Sequence, residues 1–252
     1  MRNVSSRLTV VVVVILGWAH VGWAQTAEQV VEKTLAAAGG RAALGKLKSR
    51  STIGTITLST PGGEVAGSIE ILNAAPNKSR SLIKVDLSAL GAGQMTRDQR
   101  FNGTSGYVMD TLQGNQDITG NQLDNLRNSS FPHPLLNYKE MGTTVQVSGK
   151  EKVGERDAYV LSLDPTSGSV VRQWIDAETC LPIKMVIKVD VPQIGQEIEQ
   201  TIEFLDYREV DGIKIPFQLK ATSSIQNFTI SITKVEHNVP IDATLFSKPP
   251  TP

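Results

Sequence analysis

Few residues of this sequence have the types and spacing that catalysis or metal binding requires. The candidate nucleophile and ligands are Cys180, His133 and His237, which lie far apart in the chain. No HExxH, HxxEH, CxxC or GxSxG pattern occurs. A metal site built from these three residues stays open as an alternative. We predict instead that the two histidines are structural and that Cys180 is a small packing residue.

One group of carboxylates shares a strand face. Glu197, Glu199 and Glu203 alternate with apolar residues, which could place an acidic cluster on one side of a sheet. We interpret that side as a solvated outer face. The sequence therefore predicts no catalytic activity, no bound metal and no cofactor.

The first residues have the order of a secretory signal peptide. Arg2 and Arg7 precede a short apolar run over 10–18, and a small residue, Ala24, comes before a plausible cleavage point. The run is shorter than the ~20 residues that a membrane span needs, which disfavours the alternative of an uncleaved anchor. We predict a signal peptide over 1–24 and a mature chain, 25–252, in the periplasm.

The composition of the mature chain excludes some partners. Loss of the two arginines leaves 23 basic and 25 acidic residues, and no basic run stands out. Nucleic acid is therefore not expected as a partner. The single cysteine forms no internal disulfide. The length and the uniform strand pattern indicate one domain, and we expect a monomer.

The elements that must position any site change character at Ser49. Before it, Thr26 with Gln29 makes a capping box for a helix over 26–38, and a second short helix is expected over 41–47. After it, about ten or eleven strands alternate apolar and polar residues between short turns, which is typical of antiparallel pairing. Only 119–142 interrupts them, with a short helix and the irregular stretch FPHP.

The width of such a sheet predicts its shape. Strands lie ~4.8 Å apart, so ten flat strands would extend over roughly 45 Å, more than two or three short helices could cover. We therefore predict a mainly β fold: a single curled antiparallel sheet, or incomplete β-barrel, with the N-terminal helix and short helical lid segments on its concave side. The apolar face of the strand 181–191 lines that side. Whether it meets a ligand or an ordinary filled core stays open.

Several stretches resemble the periplasmic lipoprotein-carrier family of LolA type. They are PNKSR (Pro76 to Arg80), WIDAETCLPIKM followed by IEFLDYREVDGIKIPFQLKA, and the closing EHNVPIDATLFSKP. Where that family usually carries an aromatic residue before the arginine, this chain has Ser79. The family's cavity is often aromatic-rich, whereas this chain offers mainly Ile, Leu and Val.

The resemblance implies a carrier whose apolar cavity holds lipoprotein acyl chains or another lipid during transfer toward the outer membrane. It also implies an inner-membrane exporter and an outer-membrane acceptor as partners, and Pro76 and Arg80 as lid or loop contacts. The alternative is a non-catalytic cell-envelope module with a filled core that acts by protein–protein interaction. The expected cavity wall consists of Val31, Leu35, Ile183, Met185, Ile187, Ile202, Phe204, Ile215, Phe217, Phe228 and Ile230.

Overall fold

A computed structural model of the protein describes residues 25–191 and 195–250. The signal peptide predicted over 1–24 lies outside the described residues.

The chain begins with a capped helix, α1 (Ala27–Ala37). The Thr26 hydroxyl accepts a hydrogen bond from the Gln29 amide, and the Gln29 side chain accepts one from the Thr26 amide. The capping box predicted from sequence is therefore formed. Gly39 ends the helix at a positive φ of 128°, where a Cβ would lie 2.5 Å from the carbonyl oxygen of Gly212. A short helix, α2 (Arg41–Leu44), follows.

The described strands form one antiparallel sheet of 13, in the order β6-β5-β4-β3-β2-β1-β13-β12-β11-β10-β9-β8-β7. Strand β1 therefore pairs with β13 near the middle, and the sheet stays open because β6 and β7 do not pair. The helix α3 (Gly120–Asn128) lies between β6 and β7 in the chain. The strands are β1 Ser49–Thr60, β2 Gly63–Ala74, β3 Lys78–Leu87, β4 Gly93–Phe101, β5 Gly106–Asp110, β6 Gln116–Ile118, β7 Thr144–Val153, β8 Arg156–Asp164, β9 Val171–Asp176, β10 Pro182–Val191, β11 Gln196–Val210, β12 Ile213–Ser223 and β13 Asn227–His237.

The predicted fold class is confirmed: the protein is mainly β, with one antiparallel sheet that is not closed into a barrel and an N-terminal helix. The sheet has more strands than the ten or eleven expected. Strand β6 has only 3 residues, and β4 is rich in polar residues, so neither shows a clear apolar alternation in the sequence.

The concave side of the sheet carries two apolar clusters. The larger one joins α1 and the segment around Phe131–Tyr138 to strands β8, β9, β12 and β13. The smaller one joins β1 to β3 and is centred on Ile56, Ile69 and Val85. Together they give the helices and the open sheet a common core.

The convex side carries a smaller cluster and the C-terminal tail. Trp174, Ile183 and Val186 pack together there. The 3₁₀ helix Ala243–Phe246 lies against β3 and β4 and buries the ring of Phe246.

Candidate functional site: an apolar cavity in the concave face

A cavity of about 370 Å³ opens between the concave face of the sheet and the segments that cover it. Strands β9 to β12 supply one wall, and the end of α3 with residues 129–143, called here the lid segment, supplies the other. Most of the wall is apolar. Its strand residues include Leu163, Val171, Gln173, Pro182, Met185, Ile187, Phe204, Tyr207, Ile213, Lys214, Ile215 and Pro216.

The lid segment is fixed to the N-terminal helices by both apolar and polar contacts. Phe131, Leu135 and Tyr138 insert into the large concave cluster. One nitrogen of Arg41 donates to the Leu136 carbonyl at 2.8 Å, while the rest of its guanidinium pairs with Glu32 on α1. The hydrogen bond from Arg41 lowers the pKa of the Glu32 carboxyl, whereas desolvation acts to raise it.

Helix α3 is held differently, because none of its residues is buried. Its polar side chains converge on Ser169, which lies just before β9. The Ser169 hydroxyl accepts from Asn121 at 3.1 Å and from Asn125 at 3.2 Å, and donates to the Lys188 carbonyl at 2.6 Å. The Ser169 amide donates to the Asn125 side chain at 2.8 Å. Gln122 and Asn128 add hydrogen bonds to the carbonyls of Asp190 and Ser167. A cover attached by hydrogen bonds rather than by fully buried side chains can separate from the sheet without exposing a large apolar area.

The alternation predicted for 181–191 is interrupted at its start. The pairing of β10 with β9 shifts register between Pro182 and Lys184, so Ile183 occupies a bulge. The bulge turns Ile183 to the convex cluster with Trp174. Beyond it, Met185 and Ile187 point into the cavity. A β-bulge adds one residue to a strand and so reverses the face of the residues on one side of it.

The structure distributes the expected wall residues over five places. Met185, Ile187, Phe204 and Ile215 line the cavity. Val31, Leu35 and Phe217 are packed in the large concave cluster, and Phe228 and Ile230 pack against the smaller one. Ile183 lies on the convex side. Ile202 is half-buried on β11 and pairs with Met185 and Ala221.

A positively charged side chain of β1 forms part of the cavity wall. The guanidinium of Arg50 lines the cavity and lies 5.5 Å from the centre of the Phe131 ring in the lid segment. Desolvation lowers the pKa of Arg50 to about 10. The sequence does not single out this residue, because an arginine beside two serines at a strand start looks like a surface residue.

His133 lines the same cavity. Its Nδ1 accepts a hydrogen bond from the Leu135 amide at 3.2 Å. Desolvation, and then the charge of Arg50, lower its pKa to about 4. The ring is therefore neutral at neutral pH, with its proton on Nε2.

Two further polar groups reach the wall. The Tyr207 hydroxyl donates to the Pro182 carbonyl at 2.8 Å, and burial raises the pKa of this phenol. The Gln173 amide donates to the Met185 sulfur at 3.9 Å, whereas its buried oxygen has no partner among the described residues. Polar residues such as Asn125, Asn128 and Ser129 lie on the α3 and lid side, so the apolar surface is concentrated on the strand wall, as in sites for small hydrophobic ligands.

The residues of the family-like motif lie away from the cavity wall. Pro76 is exposed in the turn between β2 and β3, and its neighbour Asn77 donates to the Arg127 carbonyl in α3 at 2.6 Å. Arg80 points to the convex side, where it forms two hydrogen bonds with Asp98, of 2.8 and 2.7 Å. Arg80 therefore joins β3 to β4 and contacts no lid, contrary to the expectation from the resemblance.

The remaining candidates for chemistry lie on separate elements. His237, at the end of β13, has its Nδ1 3.1 Å from Asp211. Cys180 has a φ of 59° in the turn between β9 and β10, a turn in which Asp176 accepts hydrogen bonds from the Glu178 and Thr179 amides. Within 25–191 and 195–250, no group of three His, Cys, Asp or Glu side chains is placed to hold a metal ion.

Two of the three singled-out carboxylates of β11 face lysines on neighbouring strands, whereas Glu197 pairs in register with Asp190. Glu203 pairs in register with Lys184 on β10 and with Lys220 on β12, and Glu199 pairs with Lys188. Opposite charges in neighbouring strands stabilise a sheet face. This arrangement supports a structural role for them on the convex side.

Comparisons with known proteins give the class of fold. A DUF1329 family protein from Desulfovibrio piger superposes with a TM-score of 0.58 at 12% identity, covering 88% of this chain and 97% of its own. A LolA superfamily protein from Nitrosomonas europaea gives 0.56 at 14% identity, with 89% and 99% coverage. A domain described as an outer membrane lipoprotein-sorting protein, from Vibrio parahaemolyticus, gives 0.54 at 13% identity, with 86% and 97% coverage.

The chain therefore has the fold of the LolA superfamily, as the sequence resemblance implied. A family model described only as "Uncharacterized protein" matches residues 136–249. No curated protein matches the sequence. Of the helices in the described part of the chain, none has the length and apolar character needed to cross a membrane.

Proposed function

We propose that this protein is a periplasmic carrier that binds the acyl chains of lipoproteins, or a similar amphiphile, in its concave cavity. The leader 1–24 directs export and is removed near Ala24. The cargo then passes from an exporter in the inner membrane to an acceptor at the outer membrane. No step of this function requires catalysis.

One observation carries the proposal. The cavity between strands β9 to β12 and the lid segment has an apolar wall, while α3 covers it through hydrogen bonds to Ser169 rather than through buried side chains. Burial of an acyl chain contributes ~0.8 kcal/mol per methylene. A chain of ordinary length would therefore bind without directed hydrogen bonds, and selectivity for chain structure is expected to be loose.

The alternative function is that of a cell-envelope module with a filled core that binds other proteins. The two concave clusters support it, since they already bury Leu35, Phe217 and Ile56 without a ligand. The two functions differ in what the wall at Met185 tolerates.

The test compares adjacent residues on opposite faces of β10. Met185→Asp places a carboxylate on the cavity wall, where water has access when no lipid is bound. We expect the variant to fold and to lose uptake of a fluorescent fatty acid. Val186→Asp buries a charge beneath Trp174 on the convex side and should unfold the domain. Gln146→Asp, at an exposed position of β7 opposite Ser162, should change neither property.

Circular-dichroism melts and probe titration of the three variants separate the two functions. Unfolding of Met185→Asp at ambient temperature would show that this wall is part of a filled core. Unchanged uptake by a folded Met185→Asp variant would show that the probe does not enter the cavity.

A further inference from the structure

The cavity contains a positive charge that no carboxylate balances. None of the described residues lining the cavity is Asp or Glu. Across 25–191 and 195–250, the guanidinium of Arg50 has no ion-pair or hydrogen-bond partner, and it contacts the face of the Phe131 ring. The other lining cation, Lys214, differs in this respect because it pairs with Glu209 at 3.2 Å.

The unpaired charge of Arg50 destabilises the empty cavity unless another group compensates for it. Arg50 stays protonated at neutral pH, since its pKa falls only to about 10. A charge in an apolar site without a partner costs free energy, and the same surroundings strengthen its attraction for an anion. Guanidinium groups bind carboxylates and phosphates through two parallel hydrogen bonds.

A second donor lies in the same wall. The Nδ1 of His133 is occupied by the Leu135 amide, so the proton of the neutral ring is on Nε2. Arg50 and His133 line the same cavity, and the Arg50 guanidinium lies 5.5 Å from the ring centre of Phe131, two residues before His133. An anionic oxygen beside Arg50 would therefore find a charged donor and a neutral donor together.

We propose that the cavity selects amphiphiles with an anionic head group, a carboxylate or phosphate, that pairs with Arg50 and accepts a hydrogen bond from His133. This inference rests on the proposed function, and it specifies the class of cargo. The alkyl chain lies along Met185, Ile187, Phe204 and Ile215, and the head group replaces the missing counter-ion of Arg50.

Three ligands with one alkyl chain test the head group: dodecanoate, dodecyl phosphate and dodecanol. Each displaces a neutral fluorescent lipid probe from the purified protein. We expect wild type to bind the two anions about tenfold or more tightly than the alcohol. Arg50→Met should remove this preference with little effect on dodecanol, and Arg50→Lys should keep part of it. Acetate and inorganic phosphate should not compete at the same concentrations.

The outcomes separate this inference from the proposed function. If wild type binds none of the three ligands, the carrier function fails. If wild type binds all three equally, the head-group inference alone fails. Equal losses for acid and alcohol in a folded Arg50→Met variant would show that Arg50 only shapes the wall. Should Arg50→Met fail to fold, the wild-type preference still decides. Competition by acetate or phosphate alone would assign the site to free anions and overturn the inference.

Discussion

At the residue scale, the charged side chains on the described residues that are largely removed from water differ in whether they have a charged partner. Asp98 receives hydrogen bonds from Arg80 and from Arg100, whose Nη2 lies 2.8 Å away, and its side chain is only 6% exposed. Arg100 also donates to the Ser247 carbonyl at 3.1 Å, which attaches the C-terminal tail to β4. Burial alone would raise the pKa of Asp98, but the two arginines together lower it. This cluster stabilises the fold, whereas Arg50 is available for a ligand.

The first prediction concerns this cluster. Asp98→Asn leaves two guanidinium groups without their carboxylate and should lower the free energy of unfolding by about 3 kcal/mol. The measurement is urea denaturation at pH 7. Asp206→Asn is the control: it removes a 2.6 Å pair with Arg208 in which Asp206 is 45% exposed, and should leave the free energy of unfolding nearly unchanged.

The same variant has a defined pH dependence. Because the folded-state pKa of Asp98 is lowered, its contribution is complete above the unfolded pKa and is lost as pH falls through the folded value. The stability difference between wild type and Asp98→Asn should therefore shrink below about pH 4. A difference that stays constant down to pH 2 would contradict the ion-pair account.

At the element scale, helices α1 and α3 are held against the sheet by different forces. Helix α1 is held by buried Val30, Val31 and Leu35. Helix α3 depends on the hydrogen-bonded hub at Ser169. If cargo enters beneath α3, weakening the hub should make that helix open more often without affecting α1.

Ser169→Ala tests this difference. Loss of the hydroxyl removes its three hydrogen bonds, and amide hydrogen exchange across 120–128 should accelerate about tenfold, while exchange in α1 stays unchanged. Ser148→Ala, at an exposed position of β7, provides the matched control. Equal acceleration in α1 and α3 would mean that the two helices open as one unit.

The sequence predicted elements well where one pattern ran unbroken. The capping box of α1 and the odd-numbered apolar face of β12 follow from local chemistry and period alone. The bulge at Ile183 could not be predicted, because it arises from pairing with β9, a tertiary constraint. Arg50 was missed for a related reason. Arg50 shares a face with the buried Thr52, which pairs with Val235 on β13, but an arginine between two serines shows no apolar pattern, and its place beside the lid segment depends on tertiary packing.

At the scale of the whole molecule, the number and apolar pattern of strands required the sheet to curl and the helices to lie inside it. The open 13-stranded sheet has this architecture. The path of the lid segment could not be predicted from the sequence, because the prolines of FPHP exclude regular structure without indicating which surface the chain covers. The volume that stays unfilled beneath the lid segment depends on side-chain packing, which cannot be predicted from the spacing of apolar residues in the sequence.

For the molecule as a whole, we propose that the concave side of the sheet encloses a lipid. Native mass spectrometry of the protein released from its own periplasm tests this most directly. We expect a species that carries one amphiphile per chain, with an anionic head group, and we expect Met185→Asp prepared in the same way to give the bare mass. Bare wild-type protein that also takes up no dodecanoate or dodecanol when these are added would contradict the claim.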